Sequence, residues 1–379
     1  MGKHSAGILG TVIPGTATPR SVGVEEELLL VDSATGQARA VAAAVMRAAD
    51  EPSADELDFE LKQEQLETGT QPCVSLEDLG REVRRCRSLA AEAAARVGVQ
   101  VAAVATSPMA VEPSITLNNR YQQMTAEFGL TAQEQLTCGC HVHVQVSSDE
   151  EGVAVLDRIQ PWLAPLIALS ANSPFWQGHD SGYASFRYQA WGRWPSSGPT
   201  DQFGSPEAYH QVTQAMVDTS TVLDQGMIYF DARLSAHYPT IEIRVADVCL
   251  HPDDAVLIAA LVRGLVETAA RSWRQGEPAR PVRTELLRLA AWRASRSGLD
   301  DQLVDPVTQR PAAARDVVSQ LLEHVAPALT DAGDLATVRG LLDDLLDRGN
   351  GARLQRQAYR RAGQILDVVR EAVVRTLPW

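Results

Sequence analysis

Residues 137–147 read TCGCHVHVQVS. In an extended strand, successive side chains point to opposite faces. One face then carries Cys138, Cys140, Val142, Val144 and Val146. The other carries Gly139, His141, His143, Gln145 and Ser147. One face is apolar, and the opposite face presents two imidazoles. TIEIRVAD, residues 240–247, repeats the arrangement, with Ile241, Ile243 and Val245 against Glu242 and Arg244. Such strands predict a sheet with one face in the core and one face of His, Glu and Arg.

Working outward, VGVEEELLLVD at 22–32 predicts a strand. Glu25 and Glu27, two residues apart, share one of its faces. Paired carboxylates repel unless a cation lies between them. Alone, the pair fits a solvated edge strand as well as a metal site, but the run Leu28–Val31 argues for burial. LDFELKQEQLETGTQ, residues 57–71, fits helix or strand, and its Glu60, Glu64 and Glu67 also fit the wet face of a helix. Ser75 to Val97 reads as a helix with Ser75 as its cap and Glu77 and Asp78 in the first turn. Further helices are expected at 40–49, 119–128 and 152–171, and a strand at 99–105. Residues 172–205 read as a long irregular region with four aromatics between Phe186 and Trp194. GMIYFDARL (226–234) and TIEIRVAD read as two strands joined by a turn near His237–Pro239. Beyond 252 helices are expected at 253–275, 281–297, 311–328, 331–347 and 352–376. Early strands and late helices predict an α+β protein with a mainly antiparallel sheet. The organisation expected is a loose arm over residues 1–20 and one catalytic domain over 21–379.

Of the 379 residues, 45% are hydrophobic and 22% charged, as in ordinary globular chains. The net charge of −14 argues against nucleic acid as a partner. Five cysteines without a CxxC pair suggest buried thiols in a reducing compartment. The N-terminal segment lacks a signal-peptide apolar region, and no apolar run reaches the length of a membrane span. A cytoplasmic protein without a membrane partner is expected.

Glu25, Glu27, Glu60, Glu64, Glu67 and Glu242, with one or both of His141 and His143, form a carboxylate-rich candidate set suited to Mg²⁺ or Mn²⁺. Arg244, and Arg187 and Arg193 from GYASFRYQAWGRWP, suit phosphate or carboxylate. No Walker-type GxxxxGK[ST] is present, so a nucleotide would be held through metals and arginine rather than a P-loop. Two histidines on one face also leave open a zinc-dependent hydrolase.

Eight segments in this order, VGVEEELLLVD, ELKQEQLETGT, TCGCHVHVQV, SANSPFW, GYASFRYQAWGRWP, TIEIRVADVC, LAAWRASRSGLDDQLVDP and GNGARLQRQ, resemble the glutamate–cysteine ligase family, in particular its bacterial carboxylate–amine ligase branch. They run from about residue 22 to 357. The resemblance implies a curved, largely antiparallel sheet of about six strands forming a funnel, with helices outside, related to glutamine synthetase. It implies ATP and two or three Mg²⁺ ions. By motif, Glu25, Glu27, Glu60, Glu67, His141 and Glu242 would be metal ligands, Arg244 would face ATP phosphate, and Arg187 would bind substrate or phosphate. His143 receives no role. The implied reaction joins the γ-carboxylate of L-glutamate to an amine such as L-cysteine through a γ-glutamyl phosphate. The resemblance does not fix the amine. The 183–194 loop is expected to border the acceptor. A different carboxylate or amine on the same fold, or a non-catalytic glutamate- or nucleotide-binding module, are the alternatives. A homo-oligomer is compatible with the sequence.

Overall fold

The structure is a computed structural model that describes residues 19–49 and 57–377. Apart from Pro19 and Arg20, the expected N-terminal arm lies outside the described residues.

Among these residues, seven strands make the central sheet, one more than expected. In chain order they are β1 (Val22–Asp32), β2 (Leu57–Phe59), β3 (Gln65–Gly69), β4 (Val99–Ala102), β5 (Gly139–Gln145), β8 (Ala232–Leu234) and β9 (Thr240–Asp247). Two short ribbons lie apart from it: β6 (Phe175–Trp176) with β7 (His179–Asp180), and β10 (Gln302–Val304) with β11 (Pro311–Ala313). The main order is β2-β3-β1-β5-β9-β8, and β4 pairs with the second half of β1. Every ladder in it is antiparallel.

The alternation read at 137–147 is what orients this sheet. Val24, Val142, Val144, Ile241 and Ile243 are buried in one core. The helix Pro252–Arg274 covers that face and packs on β1, β5 and the helix Leu76–Arg96. Ser75 caps the latter helix by accepting from the Asp78 amide, and Gly98, at φ +77°, turns the chain into β4. Leu28 to Val31 are buried on both faces, which makes β1 a central strand.

The middle carboxylate of VEEEL belongs to the apolar face. Glu26 is buried there against Arg87, whose Nη2 and Nε lie 2.6 and 2.8 Å from its oxygens. Arg87 also donates to the carbonyls of Cys249, Leu250 and Thr376, so one guanidinium joins β1, the exit of β9 and the last helix.

Several expectations are corrected. Residues 57–71, left open between helix and strand, hold the β2–β3 hairpin, because pairing of Glu25–Leu29 with Gln65–Gly69 decides for the strand. The helix expected at 152–171 begins at Asp149 and passes through a 3₁₀ turn at Gln160–Trp162, where Pro161 interrupts the ladder. The 22 residues Asp149–Ser170 are long and apolar enough to cross a bilayer, contrary to the sequence reading; 83% of the apolar window is buried inside the fold. The segment 226–234 is strand only from Ala232; Met227–Phe230 pack into the core, and Phe230 makes no more than an isolated parallel bridge with Gly198. The irregular region contains the helix Phe186–Trp191, and the helix Pro206–Asp218 follows it. The helix expected at 352–376 is two, Gly351–Ala362 and Ile365–Thr376, parted by Gly363 at φ +75°. All five cysteines are buried, and none is joined in a disulfide.

Removing one partner of a buried ion pair leaves the other charge uncompensated. Arg87→Met is expected to destabilise the protein by about 3–5 kcal/mol, measured by urea unfolding, whereas Arg81→Met on the exposed face of the same helix should change stability little.

Candidate active site

The polar face of the sheet floors a cleft of about 660 Å³. Strand register alone assembles most of that floor. Glu25 lies opposite His141 on β5, Glu27 opposite Glu67 on β3, and His143 opposite Glu242 on β9. Glu60, in the turn after β2, reaches the same floor. A bulge between Cys140 and Val142 sets two β9 residues against His141. Arg244 sits at that irregularity, where its amide donates to the Asp231 carbonyl at 2.9 Å. Bulges commonly re-aim a side chain in this way.

Three groups of potential ligands result, each with donor atoms within 4.8 Å of one another: Glu27–Glu60–Glu67, Glu25–Glu67–His141, and Glu25–His143–Glu242. Glu67 belongs to the first and second, and Glu25 to the second and third. The groups therefore form a chain of three linked by two shared carboxylates.

Electrostatics show what this crowding does. Burial, followed by the charge of Glu60, pushes the Glu27 carboxyl up to about 8 against the opposing pull of Arg187. Burial and the charges of Glu60 and Glu25 push Glu67 well above the usual range. Burial would also raise Glu25, but His141 and His143 outweigh it and hold that carboxyl low. Their nearest nitrogens stand 3.6 and 3.2 Å from it. Burial and then Arg244 push His141 down to about 4, leaving a neutral imidazole whose Nε2 is buried without a hydrogen-bond partner. Protonated carboxyls and an orphaned imidazole nitrogen are what a bound divalent cation would relieve. The residues present fit such a cation.

The arginines separate into distinct positions. Arg244 contacts Glu242, and its guanidinium lies 5.8 and 5.9 Å from the rings of Trp191 and Tyr229. Arg187 is buried behind the floor, where Nη1 and Nη2 lie 3.4 Å from the Arg244 carbonyl. Gly139 makes room for it: a Cβ there would fall on the Arg187 guanidinium and within 2.9 Å of His141 Nε2. The Gly139 amide meanwhile donates to Glu27 at 2.5 Å. Arg193 stands apart, paired with Glu134 at 2.6 Å and outside the cleft lining. Glu64 also turns away, accepting from the Ser114 amide. Of the aromatic loop, Trp191 and Trp194 line the cleft, but Tyr183 and Phe186 pack on each other and on Trp292 and Trp176.

Arg233 on β8 was not singled out in the sequence. It lies opposite Glu242 and grips both its oxygens, at 2.7 and 3.2 Å. Its signal was only the alternation of a three-residue strand. Asp247 was missed too. Fully buried, it accepts from the Asn172 amide and from the hydroxyls of Ser173 and Ser185, all within 2.8 Å. Ser173 Oγ in turn accepts from the Arg187 amide at 2.9 Å. SANSPFW and GNGARLQRQ thus brace the floor from behind, with Gln355 donating to Asn172.

A Francisella tularensis glutamate–cysteine ligase solved with AMP superposes with a TM-score of 0.68 over 96% of this chain and 90% of its own, at 13% identity, and so shares the fold. The model of the glutamate–cysteine ligase family 2 matches residues 21–373. The chain belongs to that family, which places it among the ATP-dependent carboxylate–amine ligases. Proteins provisionally named glutamate–cysteine ligase 2-1 of Streptomyces avermitilis and glutamate–cysteine ligase 2 of Streptomyces coelicolor are 57% and 55% identical to it, each over 94% of this chain and 99% of the relative.

Two outcomes follow. A buried carboxyl with a raised pKa binds extra protons in the folded state, so without metal its contribution to stability falls as pH rises from the unfolded value, near 4.3, toward the folded one. For Glu27 that window closes near pH 8. Mg²⁺ should therefore raise Tm more at pH 8 than at pH 6, read by scanning calorimetry; equal gains would contradict the crowding. Gly139→Ala should displace Arg187 and lower kcat/KM by about 100-fold, with far-UV circular dichroism retained.

Proposed function

We propose that this protein joins the γ-carboxylate of L-glutamate to an amine, L-cysteine or another, with ATP converted to ADP and phosphate through a γ-glutamyl phosphate. The observation that carries this reading is the linked chain of three ligand groups with Arg187 and Arg244 against it. Phosphoryl transfer from ATP gathers several negative charges at one place, and catalysis of it is mostly positioning and charge stabilisation.

The ligand groups Glu27–Glu60–Glu67, Glu25–Glu67–His141 and Glu25–His143–Glu242 would hold Mg²⁺ or Mn²⁺. When bound, such cations supply charge neutralisation and Lewis-acid polarisation of phosphoryl oxygens. Arg244 is placed to offer its guanidinium to the transferring phosphoryl group. Its Nε is buried without a partner, so it retains a free donor beyond Glu242. Arg187, also with an unpartnered Nε, supplies fixed positive charge beside Glu27. Both sit in a low-dielectric pocket, where such charge acts strongly. Trp191, Trp194 and Tyr229 form an apolar wall that would exclude water from an acyl phosphate and border the amine. No protein nucleophile is required.

Against the zinc-hydrolase alternative, which would use both imidazoles on one ion, His141 and His143 fall into different ligand groups, each with two carboxylates.

The test is ADP release with ATP, Mg²⁺, L-glutamate and a panel of amines, with products identified by mass. ADP formation should need glutamate and an amine together. Glutamate-independent hydrolysis without amide product would contradict the reading. Glu67→Gln should lower kcat/KM by about 100-fold without lowering the Tm of the metal-free protein, since a neutral amide replaces a carboxyl that burial and crowding already favour in its neutral form.

A further inference from the structure

The helix Thr284–Ser297 carries apolar residues on two opposite sides. One side is buried, with Leu287, Ala290, Ala291 and Ala294 facing the fold. That side is firmly fixed. The Ser295 carbonyl accepts from the amides of Ala184 and Ser185, each at 2.9 Å, and Ser295 Oγ accepts from Gln189 Nε2 at 2.7 Å. The outward side of a helix that meets only water is expected to be polar. Here Leu286, Leu289 and Trp292 are 42, 61 and 43% exposed. Single exposed apolar residues are ordinary, but three within two turns make a patch.

The spacing on this side is regular. Glu285, Leu289, Trp292 and Arg296 follow one another at intervals of four, three and four residues. They therefore share one seam, opposite the buried side. The order along it is acid, apolar, apolar, base. Adjoining aromatics widen the patch. Tyr183 meets Trp292 edge-on at 6.3 Å and Phe186 at 5.7 Å, and Phe186 meets Trp176 at 5.3 Å. The Arg296 guanidinium lies 5.5 Å over the Tyr183 ring and donates to the Gly182 carbonyl, which fixes the basic end of the seam. None of these residues lines the cleft.

A seam of this order is complementary to itself. Reversed on a second copy, it sets Leu289 against Trp292 of the partner subunit at the centre and Glu285 against Arg296 of the partner subunit at both ends. Such self-complementarity is what a two-fold contact requires. Glu285 pairs with Arg283 in its own chain at 2.6 Å, but that pair is exposed and of the kind that contributes little, so it is readily exchanged. An anionic lipid surface fits less well, because Glu285 lies within the seam and the chain carries a net charge of −14.

We propose that this seam is the contact of a two-fold homodimer, in which the helix Thr284–Ser297 lies antiparallel to its copy. Leu289 packs on the partner's Trp292, and Glu285 pairs with the partner's Arg296.

The test is the mass of the full chain by light scattering and sedimentation velocity, at concentrations up to about 100 µM, above the weakest dissociation constants usual for specific interfaces. Wild type should have the mass of two chains. Leu289→Glu should raise the dimer Kd at least about tenfold, with Tm retained because the residue is exposed. Glu285→Arg should do the same, since each dimer then holds two like-charge contacts, and adding Arg296→Glu should restore the dimer. Should the double variant fail to fold, the two single variants decide. Wild type that stays monomeric overturns the proposal, whether or not it binds anionic vesicles. A dimer indifferent to Leu289→Glu overturns it too, because its contact then lies on another face. A Glu285→Arg variant as strongly dimeric as wild type overturns the antiparallel pairing.

Discussion

Repulsion among crowded carboxylates, buried or half-buried, is the constraint around which this protein is built. Glu25, Glu27, Glu60, Glu67 and Glu242 converge on one floor, and only Glu242 is held by arginine within it. A fold that gathers such groups must be rigid enough to hold them against their mutual charge. Here the rigidity comes from the opposite face of the same sheet, where Val24, Val142, Val144, Ile241 and Ile243 are locked under a 23-residue helix. Alternation along each strand converts apolar burial on one side into fixed carboxylate positions on the other.

The bracing groups are polar and lie outside the cleft. Glu26 and Arg87 join the sheet to three distant carbonyls from behind. Asp247 gathers the amide of Asn172 and two hydroxyls at the end of β9, and Ser173 passes that order on to the Arg187 backbone. Such supports hold catalytic groups close to productive geometry, and loss of one acts at a distance. Gly139 belongs with them, since its missing side chain is the space Arg187 occupies.

Much of the floor was legible in the sequence because period-two alternation is local. VEEEL separates Glu25 and Glu27 from Glu26, and CHVHV places both histidines on one face. ELKQEQLETGT was ambiguous for a physical reason: glutamates at 60, 64 and 67 suit a helix face, and only distant pairing with β1 decides for the strand. Arg233 was hidden because three residues of strand give almost no periodic signal, and its partner Glu242 sits across a turn. Arg193 drew notice by lying beside Trp191 and Trp194, but proximity in sequence does not fix direction, and Glu134 turns it outward.

The linked arrangement of ligand groups carries the functional reading, so its direct test is anomalous diffraction from crystals grown with Mn²⁺ and a non-hydrolysable ATP analogue. The expected result is two or three Mn²⁺ peaks on the sheet floor, with Glu25 and Glu67 each bridging neighbouring ions. A floor without anomalous density at saturating Mn²⁺, or ions held only by exposed surface carboxylates, would contradict it.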